Sequence, residues 1–139
     1  MTVPTQISAA LAGYAASFSA LDTAAICRFW LIPAAISAGA QTTCFGSRAA
    51  LAQNVEALCS FYRRQGAAGA CVSVSSCNLI LPSCANVSAA CTLLDADGGI
   101  VNAWTHHYTL RQAEGVWRIA FAVADEEIAA WARRGTPLG

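Results

Sequence analysis

The chain has 139 residues, of which 56% are apolar and 12% are charged, and its formal net charge at pH 7 is zero. Eight basic residues, all arginine, balance eight acidic residues, which argues against nucleic acid or an anionic membrane as a partner, because both require a positive surplus. The length fits one domain, residues 1–139, with a single core. So few charges cannot cover the whole surface, so we expect a homodimer.

The chain shows no pattern of membrane insertion, export or metal binding. Serine, asparagine and proline interrupt the uncharged residues 65–94, which therefore lack the ~20 apolar residues of a transmembrane helix. The N-terminus lacks the basic start and apolar core of a signal peptide, so we expect a cytoplasmic protein. The seven cysteines show no metal-ligand spacing. They are interpreted as small buried hydrophobic residues, and no metal or cofactor is predicted.

Two helices are predicted at the start of the chain. The first carries an apolar stripe at helical spacing, formed by Ile7, Leu11, Tyr14, Phe18 and Leu21. Asp22 is suited to cap the second helix through its carboxylate. This second helix is expected to include Phe29 and Trp30 and to end before Pro33.

A third helix is predicted after a segment with little regular structure. Residues 33–46 are rich in alanine, threonine and glycine and predict one short strand at most. Ser47 then caps a helix whose stripe is Leu51, Val55, Leu58 and Tyr62. Arg63 and Arg64 lie in its last turn, where the helix dipole favours cations, and they are interpreted as a solvated helix end.

From Ala70 onward the apolar period changes to two, which predicts an antiparallel meander of strands. The alternation slips at Ser75 and Ser76, which indicates a β-bulge because a one-residue slip exchanges the two faces. Gly98 and Gly115 mark the following turns. Two later strands have the apolar faces Val87, Ala89, Cys91, Leu93 and Trp117, Ile119, Phe121, Val123.

A short helix is predicted to close the chain. Asp125 is expected to cap it, with Glu126 and Glu127 as charges that favour its first turn. The order of elements indicates an α+β fold in which a curved, mostly antiparallel mixed sheet wraps three N-terminal helices. Such a sheet leaves room for a pocket between its inner face and the helices.

The strand that begins at Ile100 carries the most informative pattern in the sequence. Asn102 and His106 share one face with the apolar residues Ile100, Trp104, Tyr108 and Leu110. Since a buried polar group needs a hydrogen bond or water, this face is expected to line a cavity. His106 either passes protons near neutral pH or is a core histidine bonded to a backbone carbonyl or to Asn102. Asn102 either fixes His106 or binds a ligand carbonyl.

Aromatic residues supply the other candidates for contacts with a ligand. They are Phe18, Trp30, Phe45, Phe61, Trp104 and Tyr108. These side chains either form the wall of the pocket or fill it completely. Tyr14 either donates its hydroxyl to a ligand oxygen or belongs to the core with its tip in water.

Several motifs together resemble the NTF2-like superfamily, and in particular its SnoaL-like and ketosteroid-isomerase-like branches. They are YAASFSALD at 14–22, the FW pair at 29–30, WTHHYTLR at 104–111 and GVWRI at 115–119. The resemblance covers nearly the whole chain and implies a cone-shaped sheet around helices, open at one end. The superfamily includes isomerases, dehydratases, cyclases, hydrolases and proteins that are not enzymes, so the fold alone does not give the function.

The ketosteroid-isomerase resemblance implies roles for individual positions. Tyr14 falls where those enzymes keep the tyrosine that binds the substrate oxyanion, and His106 falls where they keep a protonated aspartic acid. Ala38 or a neighbour falls where they keep the aspartate base, so ketosteroid isomerase activity is not expected. SnoaL-like cyclases and dehydratases pair cavity histidines with carboxylates. No acidic residue of this sequence is predicted to face the pocket.

The leading hypothesis is therefore an NTF2-like homodimer that binds a small, largely apolar molecule with one oxygen function. The resemblance implies a lyase, isomerase or cyclase step, with His106 as acid and base and Tyr14 as oxyanion donor. Binding without catalysis fits the same residues. The alternative is a non-catalytic dimerisation or assembly domain whose pocket is filled by its own side chains.

Overall fold

A computed structural model describes residues 3–138 of the chain. The elements in order are α1 (Thr5–Ser19), α2 (Thr23–Cys27), β1 (Trp30–Ala38), β2 (Gln41–Phe45), α3 (Arg48–Arg64), β3 (Gly69–Leu81), β4 (Cys84–Leu94), β5 (Ile100–Ala113), β6 (Val116–Val123) and α4 (Asp125–Arg134). No helix within residues 3–138 has the length and apolar character needed to cross a bilayer. The α+β architecture predicted from the sequence is confirmed.

The six strands form one curved sheet in the order β2-β1-β6-β5-β4-β3. β1 and β6 run parallel, and the other neighbouring strands run antiparallel. A register shift between Val74 and Ser76 bends β3, which confirms the predicted bulge. A second shift between Thr109 and Leu110 bends the pairing of β5 with β6. Bends of this kind let a sheet curl around its helices and enclose space on one face.

The helix caps and the buried stripe of α1 follow the sequence pattern. The Asp22 carboxylate accepts the backbone N–H of Ala25 at 3.1 Å and caps α2. The Ser47 hydroxyl accepts the N–H of Ala50 at 3.1 Å and caps α3. Residues Ile7, Leu11 and Tyr14 of α1 are buried in the main core against the sheet. Local capping and periodicity therefore determine where these helices begin and which face they bury.

The region after α2 differs from the prediction. α2 ends at Cys27, and Trp30 begins a strand, β1, instead of belonging to the second helix. A hairpin of two strands replaces the single short strand expected over 33–46, with Gly39 at φ 61° in its turn. β1 is held by parallel pairing with β6, which is distant in sequence. Pro33 lies between the paired residues Trp30 and Ala35, in the irregular part of that ladder, where a missing N–H breaks no sheet bond.

Two details at the other end of the chain also differ. Ala124, not Asp125, occupies the N-cap position of α4, and no side chain caps this helix. Ile100 was expected on the inner face of β5 but is 69% exposed, while Val101 is buried. The cause is a register shift in the pairing of β4 with β5, between Leu93 and Leu94. This shift exchanges the two faces at the start of β5.

Candidate functional site

A cavity of about 460 Å³ lies between α1, α3, the inner face of the sheet and the start of α4. Its volume is in the range of small-molecule sites. Most of its wall is apolar. Polar side chains also line it, among them Tyr14, Tyr62, His106, Tyr108 and Glu127, which come from four different elements.

Most of the residues predicted for a site lie on this wall: Tyr14, Phe18, Trp30, Phe61, Trp104, His106 and Tyr108. Phe45 does not, because its side chain is buried in the main core at the end of β2. Asn102 does not reach the wall either. Its side-chain oxygen accepts the N–H of Ala103 at 2.9 Å, and its Nδ2 is buried without a partner among the described residues.

Tyr14 lies on the buried stripe of α1 and points its hydroxyl at β1. The oxygen accepts the indole N–H of Trp30 at 3.0 Å, which leaves the hydroxyl proton available to another acceptor. Burial raises the pKa of Tyr14 well above its usual value. The phenol therefore stays protonated, and the bond from Trp30 polarises its O–H. Tyr14 is thus arranged as a hydrogen-bond donor.

His106 is held in one tautomer by its neighbours on β5. Its Nδ1 accepts the indole N–H of Trp104 at 3.1 Å, and its ring stacks on Tyr108 with centroids 4.8 Å apart. An indole N–H can only donate, so Nδ1 carries no proton and Nε2 carries the proton of the neutral ring. Burial, reinforced by the nearby charge of His107, lowers the pKa of His106 to about 4. Nε2 makes no hydrogen bond within residues 3–138 and is not fully buried.

Glu127 brings a carboxylate into the cavity from the first turn of α4. The residue is 4% exposed. Its Oε2 accepts the hydroxyl of Tyr62 and, at 3.2 Å, the indole N–H of Trp131. Burial raises the pKa of Glu127 to about 7, although both hydrogen bonds act in the opposite direction. Oε1 is not fully buried and has no hydrogen bond within residues 3–138. It lies 4.0 Å from Nδ1 of His106.

Glu127 was not among the residues predicted for the site, because its position in the sequence indicated only a charge that favours the helix start. It does occupy the first turn of α4, but its carboxylate faces inward. The signal lies in the helical spacing, because Glu127 shares one face of α4 with Ala130 and Trp131, which are both buried. An acidic residue on the apolar stripe of an amphipathic helix is a candidate for a buried carboxylate.

One known protein family matches most of this chain. The family described as NTF2-like protein (DUF6841) matches residues 5–127. The chain belongs to this NTF2-like family. No curated protein matches the chain. The resemblance identified from the sequence motifs is therefore confirmed at the level of the NTF2-like family.

Solved structures show the same fold at low sequence identity. An NTF2-like protein of unknown function from Shewanella oneidensis has a TM-score of 0.67 and 10% identity, with 85% of this chain and 94% of that one covered. A ketosteroid isomerase-like protein from Erwinia carotovora has a TM-score of 0.63 and 17% identity, covering 85% and 91%. A candidate scytalone dehydratase from Novosphingobium aromaticivorans has a TM-score of 0.62 and 12% identity, covering 85% and 79%. These likenesses concern the fold alone.

In this NTF2-like protein the carboxylate comes from an unexpected element. Ala38, where the resemblance places the base of ketosteroid isomerases, lines the cavity but has no ionisable group. Glu127 supplies an ionisable carboxylate from α4 instead. The cavity wall therefore includes a carboxylate oxygen that makes no hydrogen bond among the described residues, a neutral imidazole, and the phenol of Tyr14 with an available hydroxyl proton. These are the groups required for proton transfer to and from carbon.

Proposed function

We propose that this NTF2-like protein catalyses proton transfer beside a carbonyl group of a small, largely apolar molecule. The reaction class is that of an isomerase, or of a lyase or cyclase that proceeds through the same enolate. One observation carries the proposal. Oε1 of the buried Glu127 makes no hydrogen bond within residues 3–138 and lies in a mostly apolar cavity, 4.0 Å from His106.

Glu127 is assigned as the general base. A base is most effective when its pKa lies close to the working pH, and burial raises the pKa of Glu127 to about 7. The hydrogen bonds from Tyr62 and Trp131 to Oε2 fix the orientation of the carboxylate. Oε1 is then the oxygen that takes the proton from substrate carbon.

Tyr14 and His106 are assigned as donors to the carbonyl oxygen. The hydroxyl of Tyr14 donates no hydrogen bond to the described protein groups, since its one hydrogen bond is accepted from Trp30. His106 offers its Nε2–H, since Nδ1 is occupied by Trp104. Its low pKa supports a donor role in place of the acid and base role expected from the sequence. Donors of this kind stabilise the negative charge that develops on oxygen.

The proposed reaction passes through an enolate. Glu127 Oε1 takes a proton from the carbon next to the carbonyl, and the C–H electron pair forms the enolate, whose oxygen accepts bonds from Tyr14 and His106. In an isomerase, protonated Glu127 then returns the same proton to another carbon of the enolate. In a lyase, the enolate electrons expel a leaving group at the neighbouring carbon, and the proton leaves with that group.

The space inside the fold supports ligand binding over the assembly alternative. A cone filled by its own aromatic side chains leaves no room for a ligand, whereas this cavity measures about 460 Å³. The homodimer, the cytoplasmic location and the SnoaL-like branch remain predictions. A binder without catalysis is separated from an enzyme by the following experiment.

The test is hydrogen exchange into 2-tetralone, an apolar ketone with exchangeable protons beside its carbonyl. Deuterium incorporation in D₂O is followed by NMR with wild-type protein, Glu127→Gln and Glu126→Gln. We expect wild-type protein to accelerate exchange well above buffer. Glu127→Gln should reduce the protein-catalysed rate by about 10²-fold or more, the usual contribution of a general base.

Glu126→Gln is the matched control, because it removes the neighbouring carboxylate, which lies on the outer surface. It should retain the wild-type rate. Equal rates for Glu127→Gln and wild-type protein would contradict the role of Glu127. Binding of 2-tetralone without exchange above buffer would leave the protein as a binder and contradict the enzymatic proposal.

A further inference from the structure

The cavity has two ends of different charge. Of the described residues that line it, Arg64 is a cation and Glu127 is the group that becomes an anion as the pH rises through 7, while His106 is neutral. Glu127 is buried, whereas Arg64 is exposed at the C-terminal end of α3. An apolar ligand therefore meets a cation at the rim and a carboxylate inside.

One face of α3 forms the rim of the cavity. Its residues Asn54, Ala57, Leu58, Phe61 and Arg64 all line the space. They follow one another at helical spacing, and ten residues of helix place Asn54 about 15 Å from Arg64. The neutral Asn54 thus lies at one end of this rim and the cation lies at the other.

Arg64 is held by a contact with an aromatic ring and has no ion pair with a described carboxylate. Its guanidinium carbon lies 5.9 Å from the centroid of the Phe61 ring, within the range of a cation–π contact. Neither ion pair found among the described residues involves Arg64. Its donors are thus available to an anion at the rim, and a guanidinium binds a carboxylate or sulfonate through two parallel hydrogen bonds.

Arg63 has a different environment, although it is adjacent in sequence and carries the same charge. It does not line the cavity, and its guanidinium donates to the backbone oxygen of Leu21 at 3.1 Å. The two arginines were interpreted from the sequence as one solvated helix end. In the structure Arg64 lines the cavity, whereas Arg63 is bonded to the segment between α1 and α2.

We infer that the substrate is an organic anion with an apolar body, bound with its anionic group at Arg64 and its reacting carbonyl toward Glu127. This inference rests on the proposed function and adds the substrate class and its orientation. A chain of contacts joins the two groups: Arg64 lies over Phe61, Phe61 packs on Trp131 at 4.9 Å between centroids, and Trp131 donates to Glu127. An anionic group next to the ionised Glu127 would be repelled, so the reverse orientation is disfavoured.

Two fluorescent dyes that differ only in one anionic group test the inference. They are 8-anilinonaphthalene-1-sulfonate and its uncharged parent, N-phenyl-1-naphthylamine. Arg64→Gln should weaken binding of the sulfonate by about 3- to 10-fold, the range between an exposed and a well-formed charged contact. It should leave the affinity for the uncharged dye unchanged. Added salt should weaken sulfonate binding to wild-type protein and have less effect on the variant.

Arg63→Gln is the matched control, because it removes the same charge from the neighbouring position. Equal loss of sulfonate binding in Arg63→Gln and Arg64→Gln would overturn the inference, since only net charge would then matter. Leu58→Trp narrows the cavity and should weaken both dyes. If it weakens neither, the cavity does not take apolar molecules, and the proposed function fails together with the inference. If both dyes occupy the cavity and Arg64→Gln has no selective effect, only the inference fails.

Discussion

Two histidine–glutamate pairs lie on opposite faces of the same strand. His106 and His107 are neighbours on β5, and successive side chains of a strand point to opposite faces. Inside the cavity, His106 and Glu127 are 12% and 5% exposed, and Nδ1 and Oε1 are 4.0 Å apart. On the outer face, His107 and Glu126 are 42% and 54% exposed, with Nε2 and Oε2 at 2.5 Å.

Burial, not residue type, gives this chain its candidate chemistry. The outer pair makes the shorter contact and adds a hydrogen bond to Ser88 at 2.8 Å, but water screens its charges. The inner pair does not form a hydrogen bond at its distance. Burial instead keeps His106 neutral and brings the pKa of Glu127 to about 7. Groups whose pKa values are moved in this way are the ones that serve as donors and bases.

The largest expected effect is an opposite pH dependence of stability for the two inner residues. The folded pKa of Glu127 is raised from 4.5 to about 7, so its stabilising contribution is complete below pH 4.5 and is lost as the pH rises through 7. The folded pKa of His106 is lowered from 6.5 to about 4, so its contribution is complete above pH 6.5 and is lost as the pH falls through 4. Each shift corresponds to roughly 3 kcal/mol.

In wild-type protein these two effects oppose each other in the pH range that they share. In Glu127→Gln only the histidine effect remains, so the free energy of unfolding should fall by roughly 3 kcal/mol from pH 6.5 to 4, relative to Glu126→Gln. In His106→Gln it should fall by a similar amount from pH 4.5 to 7, relative to His107→Gln. Urea denaturation at a series of pH values measures both. If the free energy of unfolding changed with pH in the same direction in Glu127→Gln and His106→Gln, the opposite pKa shifts assigned to these two residues would be refuted.

A smaller change in pKa and stability is expected when Glu127 loses its hydrogen bond from Tyr62. Tyr62→Phe removes the hydroxyl that donates to Oε2, and this bond lowers the pKa of the carboxyl. The midpoint of the pH–rate profile for 2-tetralone exchange should therefore move to higher pH. Above pH 7 the protein should lose about 1–2 kcal/mol, because a buried ionised carboxylate loses a donor. Glu126→Gln should keep the wild-type midpoint. An unchanged midpoint in Tyr62→Phe would show that the hydrogen bond from Tyr62 does not influence the pKa of the catalytic base.

The smallest change in stability is expected when the exposed pair on the outer face of the sheet is removed. Removing the exposed pair with His107→Gln or Glu126→Gln should change the free energy of unfolding by less than about 1 kcal/mol. The difference from wild-type protein should shrink further in 0.5 M salt, since salt screens exposed charges. Thermal melts at low and high salt measure this. A large, salt-independent loss of stability would show that the outer pair is buried in solution, as in the interface of the expected homodimer.

Local sequence patterns were sufficient for much of the fold. The caps at Asp22 and Ser47 and the slip near Ser75 depend on neighbouring residues, so they are visible in a short window. The strand β1 is different. Its alanines have a low intrinsic preference for strands, and the parallel pairing of Trp30 with Ile119 joins distant parts of the chain. No local window contains that information.

The candidate site was also predicted only in part, because some of its residues show a local pattern and others depend on contacts between distant segments. His106 interrupts the apolar face of its strand, and Tyr14 matches a position in the family resemblance, so the sequence identified both. Glu127 was missed because a glutamate in the first turn of a helix already has a sufficient explanation in the helix dipole. Its inward direction depends on the contact of α4 with α3 through Tyr62 and on its contact with β5, where Trp131 packs on Trp104. Tertiary packing decides which of three consecutive acidic residues becomes buried.

The parallel pairing of β1 with β6 has a consequence for how the protein folds. Contacts between residues so distant in sequence form slowly, because a long loop must close first. The antiparallel β3–β4–β5 meander can form from nearby segments, but it contains neither Tyr14 nor Glu127. We therefore expect the polar groups of the cavity to come together only in the last kinetic phase of folding. During refolding, chemical activity should appear as a late, all-or-none event, after most of the secondary structure is already in place.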